Sequence, residues 1–303
     1  MKKILITGGT GFIGRQVINE FLSDNNQYEI HVITSSDAIY KFNKNVLVHK
    51  LNLLDQNAVN VFFKQYKFWG LIHLAWFVGA KCHVSDINLT WLQASLNLLQ
   101  NFAQTGGQSF LGAGSVSEYD YSYGYLQEDF TPLNSNTLYG QSKAALFKIA
   151  NIFCQQNNID FKWARLFNMY CPHEKEVRLM PAAIISMLKN ETVKVSPCEQ
   201  IQDYLHVFDA AKAVVKLFKS EMQGAVNICS GIPIRLRDVV EQIAELTNFN
   251  GSIDWGALPA SFSDLLVVGN NQKLKQQIGW QQEINLNNGL QMTIDWWRKN
   301  LNV

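Results

Sequence analysis

Short apolar runs alternate along the first half of the chain with longer stretches in which apolar residues recur every three or four positions. "KKILI" at the start reads as a buried strand and "IGRQVINEFLSD" as a helix. "EIHVITSS", "VLVHKLNLLD" and "FWGLIHLAW" predict three further strands, with Asp55 placed to cap the helix that follows the third. "NLTWLQASLNLLQNFAQT" predicts a long amphipathic helix with Leu89, Leu92, Leu96 and Leu99 on one stripe. "QSFLGAGS" then reads as a fifth strand, "TLYGQSKAALFKIANIFCQQ" as a helix and "DFKWARLFN" as a sixth strand. This alternation of strand and helix predicts an α/β fold, a doubly wound parallel sheet with helices on both faces.

The alternation loosens afterwards. "YCPHEKEVRLMP" reads as a loop and "AAIISMLKN" as a helix, and "DYLHVFDAAKAVVKLFKS" as a strand feeding a helix behind Asp209. "GAVNICSG" looks like one more core strand, and helices such as "LRDVVEQIAELT" and "NNGLQMTIDWWRKN" follow. Because no repeat or Pro/Gly linker separates the halves, a second lobe should be interleaved with the first. The expected division is 1–168 plus about 204–230 for a dinucleotide-binding domain, against about 169–203 and 231–303 for a smaller C-terminal substrate lobe.

A 303-residue chain that is 47% hydrophobic and 17% charged has the make-up of a globular enzyme and not of a disordered segment. Its net charge of +1 and lack of a basic cluster argue against a nucleic-acid partner. Cys82, Cys154, Cys171, Cys198 and Cys229 are scattered and odd in number, without metal-ligand spacing, so buried thiols in a reducing compartment are expected. The apolar run after Lys2 and Lys3 is too short for a signal or a membrane span, which leads us to expect a cytoplasmic protein with no membrane partner.

Candidate chemistry begins at "TGGTGFIG", which sets Gly8, Gly11 and Gly14 three apart between the first strand and the first helix. A turn without side chains lets backbone approach a pyrophosphate at a helix N-terminus, where unpaired N–H groups and the dipole favour negative charge. In such folds an acidic residue at the end of the second strand holds the ribose 2′-hydroxyl of NAD. Here Thr34 and Ser35 stand there, so nothing repels a 2′-phosphate, and Arg15, Lys41 and Lys44 are available to attract one. NADP is the expected cofactor, with NAD as the alternative.

Five tyrosines crowd the stretch from Tyr119 to Lys143. A phenol with its ordinary pKa near ~10 is a poor base at neutral pH unless a cation lies close. Residues four apart share a helix face, and of these tyrosines only Tyr139 has a lysine, Lys143, at that spacing. Tyr119, Tyr121, Tyr123 and Tyr125 read as substrate-loop or packing residues.

The glycine spacing together with Tyr-x-x-x-Lys resembles the extended short-chain dehydrogenase/reductase family, also called the NAD-dependent epimerase/dehydratase family, and the resemblance runs over essentially the whole chain. It implies a Rossmann sheet with the dinucleotide held by Gly8, Gly11, Phe12, Ile13, Gly14 and Arg15, by Thr34 and Ser35, by Asn52 and Leu53 beside the adenine, and by Leu74 and Ala75 under the phosphates and ribose. Tyr139 and Lys143 then match the catalytic pair, with Lys143 also bonding the nicotinamide ribose. Ser115, four residues before Tyr119 in "SVSEYD", matches the catalytic hydroxyl, and Ser117 is a candidate to touch the sugar. The 4,6-dehydratases of the family carry acids after that hydroxyl, and Val116 and Ser117 replace them, which argues against dehydration. A reductase of a 4-keto-6-deoxy nucleotide sugar is the expected activity. A 4-epimerase with retained NAD is the alternative, and a non-catalytic dinucleotide sensor a more distant one.

Trp76 and Phe77, beside the nicotinamide, are candidates to cover the substrate or narrow its pocket, and the resemblance places Asn168 at the substrate diphosphate and His173 where a second proton donor would sit. It breaks at Cys171, which stands for a glycine, and at Gln202 and the pair Ala260 and Ser261, where arginines that grip a diphosphate are usual. Arg178 and Lys175 are candidates to replace them. His206 and Asp209 also match, with a strand histidine and a helix N-cap as sufficient structural roles. The helices at 88–105 and 137–156 resemble those that pair two subunits through a four-helix bundle, so a homodimer is expected.

Overall fold

The computed structural model describes residues 1–23, 28–35, 42, 45–79, 81–259 and 265–301. Lys41, Lys44, Ala260 and Ser261 lie outside the described residues. The chain runs through β1 (Lys2–Thr7), α1 (Phe12–Leu22), β2 (Tyr28–Thr34), β3 (Val46–Lys50), α2 (Gln56–Gln65), β4 (Gly70–His73), α3 (Ile87–Gln104) and β5 (Ser109–Ser115). It continues through a short β6 (Tyr125–Leu126), α4 (Leu138–Gln156), β7 (Asp160–Leu166), β8 (Asn168–Tyr170), α5 (Leu179–Leu188), β9 (Val193–Val195), β10 (Ile201–His206), α6 (Val207–Lys219) and β11 (Gly224–Ile228). The last elements are β12 (Pro233–Arg235), α7 (Leu236–Thr247), β13 (Ile253–Trp255), β14 (Leu266–Gly269), α8 (Gln272–Gln276) and α9 (Leu286–Leu301).

The main sheet has the order β11-β7-β5-β4-β1-β2-β3, with every pairing parallel. Ile4, Leu5 and Ile6 are fully buried, as a central strand covered on both faces requires. One apolar layer joins the sheet to α1 and α6 through Val17, Ile18, Val214 and Phe218; the other joins it to α2, α3 and α4 through Val59, Phe63, Leu98, Phe102 and Leu146. The fold is therefore the doubly wound Rossmann arrangement. Strand order reverses between β1 and β4, and the crevice beyond their carboxyl ends is where such sheets bind ligands.

A second sheet, β12-β10-β14-β6 with β8 beside β10, begins where the main one stops. The run "ARLFN" divides there: Phe167 N–H still bonds the Ile228 carbonyl, but Asn168 already pairs with Tyr204 of β10. A third apolar cluster, with Met180, Ile184, Val240, Ile243 and Ile294, ties α5, α7 and α9 together.

Two local readings change. The inward face of α3 carries Ala94, Ser95, Leu98, Leu99 and Phe102, while Leu89 is half exposed, because the helix packs against both α2 and α4 and its buried stripe is rotated toward them. Asp209 lies inside α6, and His206 is the N-cap, its Nδ1 accepting from Phe208 N–H at 3.4 Å. The Asp209 carboxylate instead accepts the amides of Glu283 and Ile284 at 3.2 and 2.8 Å, fastening the segment that leads into α9. Asp55 does cap α2, accepting from Ala58 N–H at 3.0 Å. Among the described residues no helix is long and apolar enough to cross a membrane, and all five cysteines are free thiols.

Candidate active site

The turn after β1 is built by close approach. Gly8 has φ +70°, and a Cβ on it would stand 2.7 Å from the Ala75 nitrogen. One on Gly14 would stand 2.1 Å from the Gly8 carbonyl oxygen. Both clashes are with backbone, so only glycine lets α1 and the segment after β4 close on the turn. Leu74 N–H bonds the Thr7 carbonyl at 3.2 Å and Ala75 N–H bonds the Thr7 hydroxyl at 3.3 Å. Gly11 caps α1 without any side-chain hydrogen bond, and the first turn holds no acid, so the amides of Phe12, Ile13 and Gly14 present the positive helix end to the crevice. Arg15 Nε donates to the Thr10 carbonyl at 2.8 Å, and the Thr10 and Thr34 hydroxyls are 3.3 Å apart at the end of β2, with Ser35 exposed beside them. Asn52 Oδ1 accepts from Leu54 N–H at 3.1 Å, and Leu53 is buried. A phosphate-bearing dinucleotide fits this edge. Gly14→Ala is expected to weaken dinucleotide binding about tenfold or more, since backbone overpacking costs on the order of 1–3 kcal/mol; titration of reduced-nicotinamide fluorescence measures it.

Ser115 closes β5, and α4 brings Tyr139 and Lys143 against it. Thr137 caps α4, its hydroxyl accepting from Gly140 N–H at 3.1 Å, and Gly140 leaves the room that the Ser117 carbonyl occupies. Burial pushes the pKa of the Tyr139 phenol up to about 12, opposed by the Ser115 side chain beside it. The Lys143 ammonium donates to the Ala113 carbonyl at 2.9 Å and lies 3.9 Å from the centre of the Trp76 ring. Burial lowers its pKa to about 7, with Glu118 opposing. Behind it His73 bonds Thr7 at 2.7 Å and Ser95 at 2.8 Å, and burial, then the Lys143 charge, lowers its pKa to about 3.

The amide of Ser115 rests on a buried carboxylate, Glu118. Glu118, fully buried, accepts from Ser115 N–H at 2.8 Å, Trp163 Nε1 at 3.0 Å and Arg165 Nε at 2.8 Å. The signal was present, since Ser115 and Glu118 form a Ser-x-x-Glu capping box. Tyr119 belongs to the same cluster: its hydroxyl donates to Asn227 Oδ1 at 2.7 Å and accepts from Arg165, and burial raises its pKa. It is a packing residue. Tyr121 donates to Ser117 at 3.3 Å, while Tyr123 and Tyr125 are largely exposed.

The remaining candidates divide. Trp76 is buried, its Nε1 donating to Asn88 Oδ1 at 2.8 Å. Asn168 Nδ2 donates to Gln202 Oε1 at 3.0 Å, so β8 and β10 bring these two together. His173 sits at φ +70° with its ring 4.4 Å from that of Trp296, and its pKa is lowered by burial and by the Arg15 charge. Arg178 heads α5 with a 71% exposed side chain, 3.9 Å from Glu174. Glu174 has no signal in the sequence pattern; burial pushes its pKa up to about 7.

A profile of the NAD dependent epimerase/dehydratase family matches residues 4–229. CDP-abequose synthase of Salmonella muenchen is 23% identical over 95% of this chain and 96% of its own length. dTDP-6-deoxy-L-talose 4-dehydrogenase (NAD(+)) of Aggregatibacter actinomycetemcomitans is 24% identical over 88% of this chain and 98% of its own. Among solved structures, UDP-glucose 4-epimerase of Thermus thermophilus in complex with NAD has the same fold, with a TM-score of 0.85 at 24% identity over 98% of this chain and 99% of that one. Turn, sheet order and profile agree: the chain belongs to the NAD dependent epimerase/dehydratase family and is an NAD(P)-dependent enzyme of the extended short-chain dehydrogenase/reductase type.

Proposed function

We propose that this enzyme reduces a 4-keto-6-deoxy nucleotide sugar with NADPH, forming a deoxyhexose donor for surface polysaccharide. The observation that carries the reading is the state of the carboxyl group that follows Ser115 in the chain, Glu118. Val116 and Ser117 supply none, and Glu118 is turned inward onto Arg165 and Trp163, so the acid–base group that water elimination needs is absent from that segment. Proton exchange at a carbinol oxygen needs only what is present.

A bound nicotinamide supplies the hydride that the sugar carbon receives. Tyr139 gives its proton to the sugar oxygen while Ser115 holds that oxygen in place. The Lys143 charge, one helical turn on, favours the phenolate that remains. Trp76 and Phe77 would cover the sugar, Ser117 would touch it, and Asn168 with Gln202 would face the diphosphate, with Arg178 as the cation at hand and His173 as a further proton donor. Residues 169–203 and 231–303 form the substrate lobe in this reading. Thr34 and Ser35 in place of an acid favour the 2′-phosphate of NADP. Leu89, Ile149 and Ile152, each about half exposed on α3 and α4, support a homodimer through those helices in the cytoplasm; sedimentation at twice the chain mass is expected, and a monomer would remove that part.

Purified protein is expected to consume NADPH with a cytidine-, thymidine-, guanosine- or uridine-linked 4-keto-6-deoxyhexose, and NADH about tenfold less well, the effect of about one charge-assisted contact. Absorbance that stays constant with all four, at any cofactor, would overturn the reading. The fold shared with an NAD-bound epimerase favours one other: a 4-epimerase that keeps NAD. Stoichiometric NAD released on denaturation, with sugar interconversion and no net oxidation, would establish that one instead.

A further inference from the structure

Lys143 is a buried cation with no carboxylate hydrogen-bonded to it among the described residues. Among the described residues its side chain is 2% exposed and makes two contacts, the Ala113 carbonyl and the face of Trp76. Of the ionisable groups around it, Glu118 favours its charged form, but from a carboxylate already committed to other donors. His73 on β4 is engaged at both ring nitrogens. Glu118, after β5, is bonded to Arg165, Trp163 and the Ser115 amide. Tyr139 on the same helix has its ring 5.5 Å from that of His83, in the turn before α3.

We propose that the indole of Trp76 is the counter-group of Lys143, a positioning residue that keeps the ammonium charged and fixes where it sits relative to Tyr139. An aromatic face carries negative quadrupole density, and a cation over it is attracted most strongly where water is excluded. Here the distance is 3.9 Å and Trp76 is only 9% exposed. The ring is also clamped. Its Nε1 donates to Asn88, and the Asn88 amide donates in turn to the carbonyls of Cys82 and Ser85 at 2.7 and 2.8 Å. The same turn accepts the Tyr139 amide through the His83 carbonyl at 3.1 Å. The indole, the ammonium and the phenol-bearing turn are therefore one rigid unit. The consequence for catalysis rests on the ketoreductase reading; the charge pairing does not.

The test is nitrogen-15 lysine NMR on the cofactor-free full chain, with the Lys143 Nζ signal assigned by its loss in Lys143→Arg. In the unaltered protein the signal should be displaced upfield by the ring current of Trp76. Trp76→Leu should lower the titration midpoint of Lys143 by about one pH unit, about tenfold in proton affinity, with Trp76→Phe in between. The alkaline limb of kcat should move down by the same amount while KM for NADPH hardly changes. No upfield displacement, or a folded Trp76→Leu protein whose midpoint stays within about twofold in proton affinity of the original, overturns the proposal. If Trp76→Leu does not fold, the ring-current displacement and the Phe variant decide it. A protein inactive toward every keto sugar sinks the ketoreductase reading, and the NMR titration then judges the pairing alone.

Discussion

Tyr139→Phe should lower kcat by about 10²–10⁴-fold, the range for loss of a positioned acid or base, with dinucleotide affinity essentially unchanged. The substitution removes one oxygen from a ring that otherwise stays wedged between Trp76 and His83, with ring centres 6.4 and 5.5 Å away, so the fold has no reason to respond. What would be lost is the proton that, in the proposed reduction, Ser115 helps deliver. The pH dependence has a definite sign. The phenol, raised to about 12 by burial, is protonated through the physiological range and ready to donate. Lys143, lowered to about 7, carries its charge below that pH and loses it above. Reduction should therefore decline on the alkaline side as the charge that favours phenolate disappears, and the decline should flatten in Lys143→Arg, whose guanidinium stays charged. Steady-state rates across the pH range check both. Turnover by Tyr139→Phe at the original rate, with dinucleotide bound, would remove Tyr139 from the chemistry.

The elements that the pattern made legible are those with one dominant cause. β1 is three buried aliphatics before a glycine turn, and α7 is amphipathic from Leu236 to Thr247 with Val239, Val240 and Ile243 inward, so local pattern and tertiary need coincide. Where two partners compete the pattern misleads. α3 meets both α2 and α4, and its buried stripe turned away from Leu89. Phe167 ends one sheet and Asn168 starts another within a single apolar run, because register is a property of the partner strand and not of the run itself. The site shows the same division. Gly8 and Gly14 announce themselves because backbone proximity permits no alternative. Helical spacing puts Lys143 on the face of Tyr139, but its contacts with the Ala113 carbonyl and the Trp76 ring, 30 and 67 residues away in sequence, could not be read from that spacing. His73 and Arg165 carry no local signal, since their partners lie 66 and 47 residues away in sequence.

Glu118→Gln is the substitution expected to cost most in stability. Glu118 is fully buried and Arg165 only 1% exposed, with 2.8 Å between Oε2 and Nε. Removing one partner of such a pair leaves an uncompensated buried charge, at about 3–5 kcal/mol. Glutamine has the same shape, and its carbonyl oxygen is able to keep the Ser115 amide at 2.8 Å while its NH₂ group faces Arg165, donor against donor. Stability should collapse while the hydroxyl next to Tyr139 stays in register. Urea denaturation should show the loss, and kcat measured where the variant is still folded should fall much less than in Tyr139→Phe. Glu118→Ala removes the Ser115 contact as well and should lose both. The charge explanation is separable from a packing one, because Arg165→Met added to Glu118→Gln removes the orphaned cation, and apolar replacements of buried pairs are often neutral. Stability should therefore return in the double variant. If it falls further, or if Glu118→Gln alone costs less than about 1 kcal/mol, the ordinary worth of one hydrogen bond, the Glu118–Arg165 charge pair does not hold the floor of the active site.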